Sequence, residues 1–305
     1  MKSVGCSPKR EADVLAERPP RESKLHLVNR EPPAEVRQAL AEEVGFGCPI
    51  PGCGSPYLTW HHFDPPWAVR EHHDPEGMIA LCRDHHPEAD AGAFTDADLR
   101  GFKKAGREQT KIIGARFNWM RERLLIRLGG MFYYETPIAL RIGDRPIVWF
   151  NRDGSDRILL NASMLTTSGE SRLEMRDNFW ITEGANIRTI ACPPSGKLVS
   201  ATYQNGDRLR IAFREVESID ALDRRYPIKV ASSRQRSQRE SLQPRDILSH
   251  ASAAAMAGVQ FPIAVAEISM RVTDGNLRFE PNKTTIGTNT FVGGWISHCQ
   301  VGVQL

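Results

Sequence analysis

Apolar and polar positions along the 305-residue chain follow two different rhythms. Over residues 32–44, PPAEVRQALAEEV, the apolar positions Val36, Leu40 and Val44 recur every fourth residue behind prolines that a first helical turn tolerates, so a short helix is expected there. GFGCPIPGCGSPY then breaks the pattern with Gly and Pro and leaves Cys48 and Cys53 on a tight turn. YLTWHHF is aromatic and β-leaning and predicts a strand; after a proline-rich loop, GMIALC predicts a second strand, and RDHHPEAD begins a helix. At Thr95 the sequence TDAD offers a capping box with Asp98, from which a basic helix is predicted to about Leu128, with a break at Gly106 or Gly114.

Gly129-Gly130 is the clearest boundary, because beyond it the helical period gives way to short β-type runs: MFYY, IALRI, PIVWF, RILLNA, KLVSATY, RLRIAF, AVAEISMRV and LRFE. Asn205-Gly206 and Asp274-Gly275 sit between such runs as hairpin-turn dipeptides, which predicts antiparallel pairing. The expected organisation is a disordered lead-in (1–30), a small module (31–94), a basic helical connector (95–130), a β-rich domain (131–231), a basic polar linker (232–245) and a C-terminal helix with strands (246–305). The fold class is α+β.

Composition narrows this picture. Forty per cent hydrophobic and 25% charged residues describe a soluble globular chain, and no apolar run approaches the roughly 20 residues that span a bilayer. The charged, proline-containing N-terminus does not read as a signal peptide, so a cytoplasmic protein without a membrane partner is expected. Six cysteines in a chain of this size argue for metal binding over a disulfide framework. The net charge is only +3, but nine Lys or Arg against two Glu between Arg100 and Arg127 make a basic stripe.

The candidate chemistry is concentrated. Six of the nine histidines and three of the six cysteines fall between residues 48 and 86. Cys48-x4-Cys53 and Cys82-x2-His85 form two ligand pairs with the spacing of a tetrahedral zinc site built from two knuckles, a staple for a segment too short to hold its own core. His61-His62 on the first strand and His86 on the helix remain outside that set. His72 and His73 read as loop-bracing, and Asp90 shares the helix face of His86, either orienting it or lying solvated. Asp64, before Pro65, invites the same caution, and His26, His250 and His298 have no neighbours that suggest a site.

The segments CPIPGC, WHHFDP (60–65) and MIALCRDHH (78–86) resemble the HNH endonuclease family, with its zinc-knuckle ββα-metal fold, over about residues 37–90. The resemblance implies that His61 and His86 hold a catalytic Mg²⁺ or Mn²⁺, that His62 is the general base, and that Cys48, Cys53, Cys82 and His85 hold a structural Zn²⁺. It departs from the family at Gly77, where most members have an Asn that braces the loop between the strands, and at His85, commonly Cys. Asp74, His72 and His73 are the nearest groups to take over the bracing. The family's activity implies a hydrolase cutting DNA phosphodiesters, in restriction, phage defence or mobile-element biology. Arg100, Lys103, Lys104, Arg107, Lys111 and Arg116 are the expected phosphate contacts on double-stranded DNA. The β-rich region would direct the module or mediate homo-oligomerisation. The alternatives are an inactive DNA-binding module and a structural zinc knuckle serving a β-rich interaction domain.

Overall fold

The computed structural model describes residues 29–164, 166, 172–193, 195–227, 249–291 and 293–305. The linker 232–245 and His26 lie outside these residues, as does all of the lead-in except residues 29 and 30. Among the described residues the chain is sheet-rich α+β with few helices, and no helix is long and apolar enough to cross a membrane.

The first part is a small layered unit. Helix α1 (Ala34–Glu43) buries Leu40 against a hairpin of β1 (Leu58–His62) and β2 (Met78–Cys82). The strands pair antiparallel with Leu58 opposite Cys82, His61 opposite Ile79 and His62 opposite Met78. Every residue of β2 is buried, which is why MIALC reads as a continuous apolar run without alternation. Helix α2 (His85–Asp90) follows β2 directly, and α3 (Asp96–Gln109) starts at the capping box, with Asp98 N–H donating to Thr95 Oγ1 at 3.2 Å and Thr95 N–H to Asp98 Oδ2 at 2.9 Å. The small core of this unit includes Leu40, Val44, Cys48, Phe63, Leu81 and Leu99.

The basic stripe is not one helix. Helix α3 ends at Gln109, kinked at Gly106 (φ +37°), where an added Cβ would lie 2.4 Å from the Glu43 carbonyl oxygen of α1. Beyond it, β3 (Ile112–Arg116) and Leu124–Leu128 are strands, and Gly129-Gly130 is the turn to Met131–Tyr134 within one sheet, not a domain boundary. All five residues of Leu124–Leu128 are buried, so the strand shows no period of two, and its arginine makes a core strand look like part of a charged helix.

The β body consists of two sheets. A seven-stranded sheet runs from Val301–Gln304 at one edge to β3 at the other. In the ten-stranded sheet Ile263–Val272 pairs antiparallel with Arg208–Val216 and parallel with Leu124–Leu128. The expected separate units at 131–231 and 246–305 are therefore one body, because a C-terminal strand completes the middle of the sheet. Hairpins turn at Asn205-Gly206 and between Val272 and Leu277. Trp180, Leu160 and Val148 from one sheet and Phe213, Ile211 and Ile268 from the other share one buried core.

Candidate metal centres

Two clusters of ligand-type side chains flank the β1–β2 hairpin. The first joins the knuckle turn to the end of β2. Cys48 N–H donates to the Ser55 carbonyl at 2.9 Å and Cys53 N–H to the Ile50 carbonyl at 3.0 Å, which curls the turn so that both thiols face the β2–α2 junction. There Cys53 Sγ lies 3.8 Å from Cys82 Sγ, and His85 Nδ1 lies 3.1 Å from Cys82 Sγ and 3.5 Å from Cys48 Sγ. With Zn–S near 2.3 Å and Zn–N near 2.0 Å, the edges of a ligand tetrahedron are roughly 3.8 Å (S to S) and about 3.5 Å (S to N). The four groups therefore can hold a metal ion, and their donor set and spacing suit zinc. Burial pushes the Cys48 and Cys53 thiols well up, a penalty on the thiolates that a bound cation reverses.

The second cluster lies where β1 meets α2. His61, His86 and Asp90 bring one donor atom each to within 4.8 Å of one another. Thr59 Oγ1 donates its one proton to the Leu81 carbonyl at 3.0 Å, so at 2.8 Å it accepts from His86 Nδ1–H, and the lone pair of His86 is on Nε2. That atom is 3.6 Å from Asp90 Oδ2. His61 Nδ1 is 3.1 Å from Asp90 Oδ1, yet it is buried and lacks hydrogen-bond geometry. Burial lowers the pKa of both rings, against an opposing pull from Asp90, and so favours the neutral imidazole that ligates cations. Asp90 is exposed, as the solvated reading has it, and its carboxylate also lies beside both rings. The i,i+4 spacing from His86 was the available signal.

His62 is not in this cluster. Alternation along β1 turns it to the other face, where it meets Trp67 (ring centroids 4.8 Å), His72 (5.2 Å) and His73 (6.0 Å). Its Nε2 lies 3.0 Å from the His72 carbonyl, so Nε2–H donates; Nδ1 is buried with no hydrogen-bond partner among the described residues. Burial, then the neighbouring His72, pushes its pKa down to about 4.

His72 itself braces the loop. It accepts from Asp74 N–H on Nδ1 at 3.2 Å and therefore donates from Nε2 to the Pro65 carbonyl at 2.8 Å. Gly77 makes this arrangement possible. An added Cβ would lie 1.9 Å from the Asp64 carbonyl oxygen and 3.0 Å from His72 Cε1, so the ring fills the space into which a side chain at 77 would project.

The expected phosphate contacts disperse. Lys103 is 9% exposed, is ion-paired with Glu43 and donates to the Pro75 carbonyl at 2.9 Å, so it is a packing residue and not a DNA contact. Arg100 pairs with Asp64. Lys104, Arg107, Lys111 and Arg116 are exposed, Arg116 on β3. Arg127, at the far end of the stripe, is buried with its guanidinium 4.4 Å from the Tyr226 ring centroid. His250 is buried as a structural residue, bonded to the Tyr226 carbonyl at 2.7 Å and accepting from Trp295 Nε1 at 2.9 Å.

Fold and site define a sheet-rich α+β protein with a Cys3His centre suited to a metal ion. No protein-family model, curated protein or solved structure matches the chain.

Proposed function

We propose that the chain is a metal-dependent endonuclease of the HNH type that hydrolyses DNA phosphodiester bonds, with the Cys48, Cys53, Cys82 and His85 zinc site as its scaffold. The observation that carries this reading is the grouping of His61, His86 and Asp90, one ligand-type atom from each within 4.8 Å of the others, beside that scaffold. A Mg²⁺ or Mn²⁺ ion held by these three groups supplies charge neutralisation at the scissile phosphate and its leaving oxygen. His62 is the general base. The His72 carbonyl fixes its ring through Nε2–H and burial keeps the imidazole neutral at physiological pH; the role of base rests on the resemblance to the HNH family, since Nδ1 is buried and lies on the face of β1 opposite His61. His72, locked to Pro65 and Asp74, does the bracing that the family assigns to Asn. Exposed Lys104, Arg107, Lys111 and Arg116 contact DNA phosphates. The β body sets where or when the module acts.

Incubating supercoiled plasmid with wild type, His61→Ala and His62→Ala, with and without Mg²⁺ or Mn²⁺, tests the reading. Cation-dependent nicking is expected from wild type, with a loss on the order of 10²–10⁴ in His62→Ala. Unchanged cleavage by His62→Ala removes the proposed base. No cleavage with either ion favours a DNA-binding module without catalysis, the reading to which Gly77 in the Asn position lends support.

A further inference from the structure

One face of the ten-stranded sheet carries side chains that the fold does not call for. In register across six neighbouring strands stand Thr202, Arg208, Arg271, Arg278, Thr285 and Thr290. The three arginines are exposed and directly opposite one another on adjacent strands. Like charges so placed, with Cβ atoms roughly 5 Å apart, destabilise a sheet. Glu280 compensates Arg271 at 2.7 Å, while Arg208 reaches only a hydroxyl, Ser200 Oγ at 3.4 Å.

The same face continues with Arg210, flanked in register by Ser200 and Ser269, and with Arg214. Arg210, Arg214 and Arg225 all converge on one carboxylate, Glu267, at 3.6, 3.1 and 3.6 Å. Arg208, Arg210, Arg214, Arg225, Arg271 and Arg278 thus share two partners of opposite charge, Glu267 and Glu280. The positions between them, Ala212 and Val265, are buried, and Leu198 opposite Ala212 is half-buried, so little apolar surface interrupts the charged positions. Alternate residues on a strand lie about 6.7 Å apart and neighbouring strands about 4.8 Å. The guanidinium groups of Arg208, Arg210, Arg271 and Arg278 therefore form an array on the sheet that suits a ligand with closely repeated negative charge. Guanidinium forks bind phosphate bidentately, and Ser and Thr hydroxyls donate to the same oxygens.

We propose that this face binds the phosphate backbone of a nucleic acid. The cost of the in-register arginine row is met when phosphates lie across it. The choice of a nucleic acid over another polyanion rests on the nuclease reading above, while the surface itself stands on register and charge.

The experiment is binding of fluorescein-labelled oligonucleotides, single-stranded and duplex, followed by anisotropy against salt concentration and without added Mg²⁺ or Mn²⁺. Wild type is compared with Arg208→Gln/Arg271→Gln/Arg278→Gln, with Arg278→Thr alone, and with Lys104→Ala/Arg107→Ala. The triple variant is expected to bind on the order of 30-fold more weakly, with the slope of log affinity against log salt shallower by about three. Its melting temperature should hold or rise, since the opposed charges are gone; should it fail to fold, the Arg278→Thr variant still reports a slope change of about one. Wild-type affinity and slope in the arginine variants would overturn the proposal, as would a wild-type protein that binds phosphatidylserine vesicles and no oligonucleotide. Arginine-dependent binding without plasmid cleavage would uphold this surface and count against catalysis. Cleavage with arginine-independent binding would do the reverse.

Discussion

The hairpin unit and the β body are stabilised in different ways, and the difference bears on where the ligand-type side chains sit. The β body buries large side chains from two sheets in a common core, with Trp180, Phe117, Tyr203 and Phe279 all fully enclosed. The hairpin unit has a far smaller core and places its histidines and cysteines where a larger core would put aliphatic side chains: Cys48, Cys82, His61 and His62 are all buried. Groups that are costly to bury when unpaired are tolerated in a small unit if a cation satisfies them. Metal binding and folding are therefore expected to be one event in residues 34–109 and separate matters in the β body.

The sharpest way to break that comparison is to remove the scaffold metal. Cys82→Ser, or chelation of the wild type, is expected to unfold the hairpin unit, since structural zinc supplies apparent binding energies on the order of 10 kcal/mol. Hydrogen exchange should show protection lost over residues 34–109 and kept across the two sheets. Equal loss in both regions would mean that they fold as one unit.

A smaller effect is expected at Gly77. Gly77→Ala forces a Cβ against the Asp64 carbonyl and crowds His72, and should cost about 3 kcal/mol in denaturant unfolding of the metal-loaded protein. Gly77→Asn, which introduces the residue that most HNH endonucleases carry there, is expected to be no better tolerated, because its Cβ meets the Asp64 carbonyl and the His72 ring. A neutral outcome for either substitution would contradict the packing described around the hairpin mouth.

The smallest effect belongs to the β body. Burial alone would raise the Glu267 pKa, but the Tyr226 hydroxyl at 2.6 Å and the Arg214 guanidinium at 3.1 Å outweigh it and hold the carboxyl below its ordinary 4.5. A depressed folded-state pKa gives stability that is complete above the unfolded value and lost as pH falls through the folded one. Glu267→Gln should therefore cost about 1 kcal/mol at neutral pH, discounted for partial exposure, and the gap to wild type should narrow as pH falls below the ordinary 4.5. A gap that widens on acidification would reverse the sign assigned here.

What was legible in the sequence follows from how local each feature is. The Cys3His set is carried by two short-range pairs, Cys48 with Cys53 and Cys82 with His85, so spacing alone located it. The Thr95–Asp98 cap and the hairpin at Asn205-Gly206 are equally local. Asp90 was visible only as a neighbour of His86 on a helix face, because its approach to His61 depends on how α2 packs against β1. Counting charge from Arg100 to Arg127 joined residues that the fold separates: Lys103 supports α1, Arg116 lies on β3 and Arg127 is buried. The row of Arg208, Arg271 and Arg278 is the opposite case, since the residues are far apart in the chain and only strand register aligns them.

We propose that the hairpin unit holds two chemically distinct cation sites and that the one without thiolates governs phosphodiester cleavage. The most direct test is to titrate zinc-loaded protein with Mn²⁺ while following both bound Mn²⁺ by electron paramagnetic resonance and nicking of supercoiled plasmid, in wild type and in Asp90→Ala. The account predicts a single Mn²⁺ site whose occupancy tracks nicking in wild type, with both lost in Asp90→Ala while its zinc is retained. Full nicking by Asp90→Ala, or Mn²⁺ binding unchanged in that variant, would contradict it.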